Sequence, residues 1–377
     1  MMVRPFCKDD WGDVLRKIVF IGYPCQVTAV RRLKALIAYL EEHYPGKAIT
    51  WPREYPPLAG LQWAKDIELL IGVFCQAGTY LPGVAKVLAR NKIDIRKASG
   101  LEIENDGIRF TMDGENQVIR LNGEEARKKA MPGCTVCSDY TALLADISVD
   151  MNKTTPDGIV IPRTGVGKVL FAAALDSRLF RKMTGGDAGS TIVDREQAKA
   201  RRSVENTGKY KEKLPPAFYT DISFDVEAGI YDSLLQDFYL VKDLIKNDLC
   251  VLCGMCEAIC PLGSMVLDGK QPQFNNRCSD KICGLCFTTC PQNFVMQGIE
   301  QNRLMRDLKV FAPTDPVDVI QVRAEGAENI LYALVRHCLG QGGMTGAMVL
   351  HHWNTRSIIR ALADIPCKLL KDYVRDK

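Results

Sequence analysis

Nowhere do the 377 residues run through the roughly 20 consecutive apolar positions that a membrane-crossing helix needs. The segment Met1 to Asp10 also lacks the apolar core of a secretory leader, so the expected setting is the cytoplasm. An excess of one charge is missing as well. The 49 basic and 45 acidic residues leave a formal +4 without a long run of like charge, which argues against a nucleic-acid-binding role. Histidine is scarce: His43, His337, His351 and His352 stand at no metal-ligand spacing with a cysteine or carboxylate. No G-x-G-x-x-G opens a helix after a strand, so the dinucleotide fingerprint is absent. The length suits two or three packed units. What is abundant is cysteine. Fifteen of them, an odd number without an export signal, point to metal or redox chemistry over a disulfide framework.

Eight cysteines fall between Asp248 and Gln292. Cys250, Cys253, Cys256 and Cys260 follow C-x2-C-x2-C-x3-C-P, closing at Pro261. Cys278, Cys283, Cys286 and Cys290 follow C-x4-C-x2-C-x3-C-P, closing at Pro291. In a bacterial-type two-cluster ferredoxin the last cysteine of each run ligates the other cluster. The spacing therefore assigns Cys250, Cys253, Cys256 and Cys290 to one [4Fe-4S] cluster, and Cys278, Cys283, Cys286 and Cys260 to a second. Zinc sites rarely combine two such runs with a terminal Cys-Pro. A ferredoxin module passes single electrons, so bond chemistry must lie elsewhere.

The first half reads differently. Lys17–Tyr23 (KIVFIGY) is a buried strand ending in Pro24-Cys25-Gln26, followed by a helix from Val27 to about His43. Glu68–Phe74 (ELLIGVF) repeats the pattern: a strand, then Cys75, then a helix near Leu81–Arg90. Two strand–Cys–helix units predict a parallel α/β sheet with both cysteines at its carboxyl edge, where such sheets bind ligands. Alternation between Leu101 and Leu121, with turns at Asp106-Gly107 and Asp113-Gly114, predicts an antiparallel insertion. Cys134 and Cys137 then form a C-x2-C pair. Cys25, Cys75, Cys134 and Cys137 can converge as a four-thiolate cluster site; the residues alone equally allow a zinc site, or buried thiols acting as small hydrophobes. Cys7, Cys338 and Cys367 read as ordinary thiols.

The phrases IGYPCQVTAVRRL, ELLIGVFCQ, GCTVCSDYTALLADISVD, PDG and VIPRT resemble the coenzyme F420 hydrogenase/dehydrogenase β-subunit family. The resemblance implies that Cys25, Cys75, Cys134 and Cys137 ligate a third [4Fe-4S] cluster beside an FAD. It also implies cofactor contacts from Gln26, Asp157, Gly158, Arg163 and Asn329, and no catalytic side chain. Its flavin loop corresponds to about Glu325–Tyr332 (EGAENILY), where the family's glycine pair is missing, and no Trp precedes Val160-Ile161-Pro162-Arg163-Thr164.

The order of the pieces departs from the family. Residues 317–373 resemble its opening, so the chain is expected to be circularly permuted. Residues 1–235 would be one part of the F420/FAD-type domain, 236–300 the ferredoxin domain and 301–377 the complementary part. The expected fold is α/β, a parallel-sheet flavin and cluster domain with an antiparallel β insertion, plus an α+β ferredoxin domain.

The function implied is an F420 oxidoreductase subunit of an anaerobic, archaeal cell. It would exchange electrons between F420, through FAD, and a hydrogenase, formate, formylmethanofuran or carbon monoxide dehydrogenase, or a sulfite reductase. F420 carries an acidic tail, so its mouth is sought among Arg181, Lys182, Arg195, Lys199, Arg201, Arg202, Lys209, Lys211 and Lys213, a stretch that also reads as a solvated mixed-charge helix. Arg31, Arg32 and Lys34 are candidates for a flavin phosphate or for plain surface. The alternatives are an electron relay with a degenerate flavin site, or a ferredoxin-dependent reductase of another substrate.

Overall fold

The computed structural model describes residues 17–43, 63–75, 98–103, 107–112, 118–122, 131–151, 156–183, 188–210, 241–260, 263–267, 272–274, 285–293, 319–325, 330–340, 344 and 346–349. Its centre is a seven-stranded sheet. The strands are β1 (Ile18–Gly22), β2 (Ile67–Val73), β6 (Ile147–Met151), β7 (Asp157–Pro162), β8 (Phe180–Lys182), β11 (Ile320–Ala324) and β12 (Gly346–Val349). They lie side by side in the order β12-β1-β2-β6-β7-β11-β8. β3 (Ala98–Ile103), β4 (Gly107–Met112) and β5 (Val118–Asn122) make a separate antiparallel meander, the insertion expected from the alternating residues. The helix expected near Leu81–Arg90 lies outside the described residues.

The sheet is mixed, not parallel throughout. β12, β1, β2 and β6 run parallel, whereas β6, β7, β11 and β8 pair antiparallel. The reason is the short β6–β7 connection. Parallel neighbours need a crossover of a dozen or more residues, and only residues 152–156 separate these two strands.

β1 is buried along its whole length because both its faces are covered. Ile18 and Phe20 point to one side, where α1 (Pro24–His43) supplies Val27, Val30, Leu33 and Leu36. Val19 and Ile21 point to the other, against α3 (Gly165–Asp176) and α8 (Ile330–Gly340). The cysteine-rich segment joins the first of these cores. Its pieces are α5 (Val241–Lys246), α6 (Met255–Ala258), the pair β9 (Met265–Leu267) and β10 (Pro272–Phe274), and α7 (Leu285–Thr288). Val251, Met255, Ile259 and Leu285 pack in the same cluster as α1. Two further helices, α2 (Pro132–Thr135) and α4 (Ala188–Tyr210), flank the sheet's cysteine edge.

Helix α1 begins three residues before the position read from periodicity. Proline is favoured at the first helical position, where its missing N–H is no loss. Gln26 completes the start: its Oε1 accepts the Tyr23 N–H at 2.9 Å, the reciprocal half of a capping box. Cys25 is thereby held in the first turn.

A buried carboxylate ties the layers together. Asp146 accepts from Leu70 N at 2.7 Å, Arg31 Nη2 at 2.8 Å and Thr164 Oγ1 at 2.7 Å. Thr164 also caps α3, accepting from Gly167 N at 3.1 Å. Thr164→Ala removes this cap and should lower stability by about 0.5–2 kcal/mol, read from the urea midpoint; an unchanged midpoint would show the cap to be idle.

Candidate metal centre

Two groups of cysteines occupy the α1 side and the carboxyl edge of the sheet. In the first, Cys25 is the second residue of α1 and Cys75 lies just past β2. Cys134 sits in α2, its N donating to Met131 O at 2.8 Å, and Cys137 lies in the loop beyond it, its N donating to Cys134 O at 3.4 Å. Cys75 N donates to Tyr140 O at 2.9 Å, which fastens the end of β2 to the C-x2-C loop. Burial pushes the Cys25 thiol well above its ordinary range, and the fields of Cys253, Cys75, Cys134 and Cys137 push it further. The Cys75 thiol is also raised, by burial and by Cys137 and Asp139, against the opposing pull of Lys199. All four residues are half-buried, and negative charge on the neighbouring sulfurs would oppose the ionisation of Cys25 and Cys75.

The second group surrounds a small pocket lined by Cys250, Cys253, Cys256, Cys286 and Cys290. Backbone amides turn toward its sulfurs: Leu252 N reaches Cys250 Sγ at 3.3 Å, and Ser264 N reaches Cys260 Sγ at 3.2 Å. Gly254 starts α6 at φ 85°, a left-handed conformation that glycine adopts at no steric cost. Burial raises Cys250 to about 12. Burial raises Cys256 too, followed by Cys253, Cys250, Cys286 and Cys290. Cys278 and Cys283 lie outside the described residues.

Among the described residues, no three His, Cys, Asp or Glu side chains stand close enough to share one metal ion. A four-iron cube spaces its thiolates more widely, because each binds a different corner. A sulfur-lined pocket, thiols that are buried or half-buried and N–H donors aimed at sulfur suit such a group, since sulfur hydrogen bonding and solvent exposure are what tune it.

The two groups meet at a tight seam. Gly133, next to Cys134, lies so close to the second group that a Cβ there would stand 2.2 Å from Leu249 O and 2.9 Å from the Cys250 carbonyl carbon. Gln292 Nε2 donates to Gly133 O at 2.8 Å. Arg32, only 1% exposed, crosses from α1 to donate to Cys290 O and, at 3.3 Å, to Asn293 O.

The residues expected at a flavin are engaged within the protein. Gln26 caps α1. Asp157 forms a two-bond pair with Arg323, whose Nη2 reaches Oδ2 at 2.7 Å. A Cβ on Gly158 would stand 2.6 Å from both Asp150 O and Ile330 Cδ1, so its bareness lets α8 approach the sheet. Arg163 is buried, donating from Nε to Ser148 Oγ at 2.8 Å and from Nη2 to Thr141 Oγ1 at 2.6 Å. Asn329 lies outside the described residues.

The basic candidates redistribute likewise. Arg31 and Arg32 are buried partners of Asp146 and of the seam, and Lys34 donates to Ile67 O. Along α4, Arg201 and Arg202 are exposed, as are Arg181 and Lys182 of β8. Lys199 is instead buried at 3% exposure. Its Nζ donates to Cys75 O and Asp139 O, each at 2.6 Å. Ser203 Oγ donates to Val136 O at 2.6 Å, and Asn206 Nδ2 to Thr135 O at 3.1 Å. One polar stripe of α4 thus clasps the first cysteine group. The signal was in the sequence: polar residues 199, 203 and 206 recur at the spacing of one helical face. Burial works to discharge Lys199, but Cys137, Cys75 and Asp139 outweigh it and raise the ammonium's pKa.

Comparison with known proteins adds the lineage. The coenzyme F420-dependent sulfite reductase of Methanocaldococcus jannaschii is 29% identical over 160 residues, 41% of this chain and 23% of that protein. The coenzyme F420 hydrogenase subunit beta of Methanothermobacter thermautotrophicus is 25% identical over 170 residues, 44% of this chain and 52% of that one. The chain thus spans from about a quarter to about half the length of these curated relatives. A chain of the F420-reducing [NiFe] hydrogenase complex from Methanosarcina barkeri aligns with a TM-score of 0.40 at 20% identity, covering 53% of this chain and 64% of that one. Residues 15–184 match the family described as the C terminus of the coenzyme F420 hydrogenase/dehydrogenase beta subunit. That segment, somewhat under half of the chain, carries Cys25, Cys75, Cys134 and Cys137.

Proposed function

We propose that this chain is an electron-carrying subunit of a coenzyme F420-linked oxidoreductase complex, passing electrons between F420 and a partner metalloenzyme through three [4Fe-4S] clusters. The observation that carries the reading is the seam. Cys25 and Cys134 of the first group pack against the apolar cluster that includes Cys253 of the second, and Gln292 ties Gly133 to that side. An electron leaving one group therefore has the other as its buried neighbour.

Cys25, Cys75, Cys134 and Cys137 would hold one cluster, and Cys250, Cys253, Cys256 and Cys290 the next. Cys260, Cys278, Cys283 and Cys286 would hold the third, in a ferredoxin domain over 236–300. When bound, such clusters take and release electrons singly. The chain's own contribution is to exclude water around the sulfurs, present N–H groups to them and hold the two groups rigidly together. Arg32 and Gln292 do the last of these. Pairing of β11 with β7 and β8, and of β12 with β1, supports reading 301–377 as the complementary part of the 1–235 domain, circularly permuted around the ferredoxin segment.

F420 exchanges a hydride, an electron pair, whereas clusters exchange one electron at a time, so a two-to-one converter is required in the assembly. FAD is the converter that the resemblance implies. Because Gln26, Asp157, Gly158 and Arg163 are engaged internally, no step is assigned to it. The same observation favours a second reading, a relay subunit that receives electrons from a flavin held by its partner. Iron and acid-released flavin per anaerobically purified chain decide between them. About twelve irons are expected; eight would reduce the chain to a two-cluster carrier. One flavin per chain, with bleaching of F420 by a reduced dye, would favour the enzyme reading, and no flavin the relay. Among the described residues no helix is long and apolar enough to cross a membrane.

A further inference from the structure

Lys199 is a cation in a place where cations are rarely left. Fully buried lysines are uncommon unless a countercharge accompanies them. The two atoms that Nζ touches, Cys75 O and Asp139 O, are neutral carbonyl oxygens. The Asp139 carboxylate, which accepts the Leu143 N–H at 3.2 Å with each of its oxygens, contributes part of the negative field at the ammonium. The rest of that field comes from the sulfur group, on which the ammonium is seated: one of its carbonyl partners belongs to Cys75, and the other lies two residues beyond Cys137. The helix leaves it little freedom, because Ser203 and Asn206 of the same stripe anchor α4 to Val136 and Thr135 on the C-x2-C loop.

We infer that Lys199 is the fixed counter-cation of the Cys25/Cys75/Cys134/Cys137 centre, a positioning residue that makes added negative charge there more favourable and so raises that centre's reduction potential. The inference rests on the proposed cluster at those cysteines and deepens it. Reduction adds one electron, hence one negative charge, to a centre already surrounded by four thiolates. A positive charge held nearby in a water-poor environment stabilises the reduced form more than the oxidised one. Hydrogen bonding alone cannot do this to the same extent, because carbonyl-bound amides carry no net charge.

The test is a dithionite titration of the purified holoprotein, followed by electron paramagnetic resonance, on wild type, Lys199→Gln and Lys199→Arg. Glutamine keeps a donor for the carbonyls and removes the charge; arginine keeps the charge. Lys199→Gln should make one of the clusters at least tenfold harder to reduce, a midpoint lower by about 59 mV or more for one electron. Lys199→Arg should stay near wild type. Loss of about four irons in Lys199→Gln but not in Lys199→Arg would also support the counter-cation role. An unchanged midpoint in Lys199→Gln overturns the inference, as does an equal drop in both variants or loss of the cluster in both. Wild-type protein with about twelve irons and indifferent variants defeats only this inference. Wild type with about eight irons defeats the three-cluster reading and this inference together.

Discussion

Alanine at position 133 should force the two cysteine groups apart. The added Cβ would meet Leu249 O at 2.2 Å, Leu249 C at 2.6 Å and the Cys250 carbonyl carbon at 2.9 Å, all backbone atoms. Overpacking costs about 1–3 kcal/mol where side chains can yield, and occasionally more. Backbone cannot swing aside, so Gly133→Ala should reach or pass the top of that range in urea denaturation. The displacement also lengthens the path from Cys134 to Cys250. Neighbouring reduced clusters broaden each other's paramagnetic spectra, and this broadening should weaken in the variant. Gly165→Ala is the matched control, since a Cβ there meets nothing within 4 Å. Equal stability and equal spectra for both variants would mean that the seam does not hold the groups together.

Serine in place of Cys25 should remove one centre and spare the others. A hydroxyl has nearly the shape of the thiol but supplies no soft anionic sulfur, the ligand on which iron–sulfur clusters depend. Cys75, Cys134 and Cys137 would be left as three half-buried thiols. Iron should fall from about twelve per chain to about eight, with the spectrum of the ferredoxin pair retained. Transfer between the ferredoxin pair and an F420-side donor should fall with it. Cys338→Ser separates ligation from mere burial. Cys338 is fully buried in α8, among the apolar residues on the far face of the sheet, and burial raises its thiol to about 12. That variant should lose stability and no iron. Undiminished iron in Cys25→Ser, or equal iron loss in both variants, would remove Cys25 from the centre.

Local pattern and spacing carried a good deal. The β-branched run Ile18–Gly22 became a fully buried strand, and the alternation after Leu101 became the β3–β5 meander. The two cysteine runs with their terminal Cys-Pro pairs already suggest the proposed donor type, since thiolate spacing is a property of a short contiguous stretch. The start of α1 was misplaced because Pro24 and Gln26 act through a cap, which periodicity does not register. The antiparallel half of the sheet was missed for a related reason: strand direction depends on connection length and on β11, which arrives from more than 150 residues away.

By itself, then, the sequence determined the local strands and helices and the cysteine spacing on which the proposed clusters rest, because both follow from neighbours along the chain. Only the tertiary structure decided which charges face which sulfurs. Arg32 could not be told from a surface residue until it crossed to Cys290 and Asn293, nor Lys199 from a solvated lysine until α4 folded over Cys75. The residues expected at a flavin found their partners in the same way, Arg163 in Ser148 and Thr141, and Asp157 in Arg323. A buried charge is stable only beside its partner, and that partner is supplied by packing between distant segments.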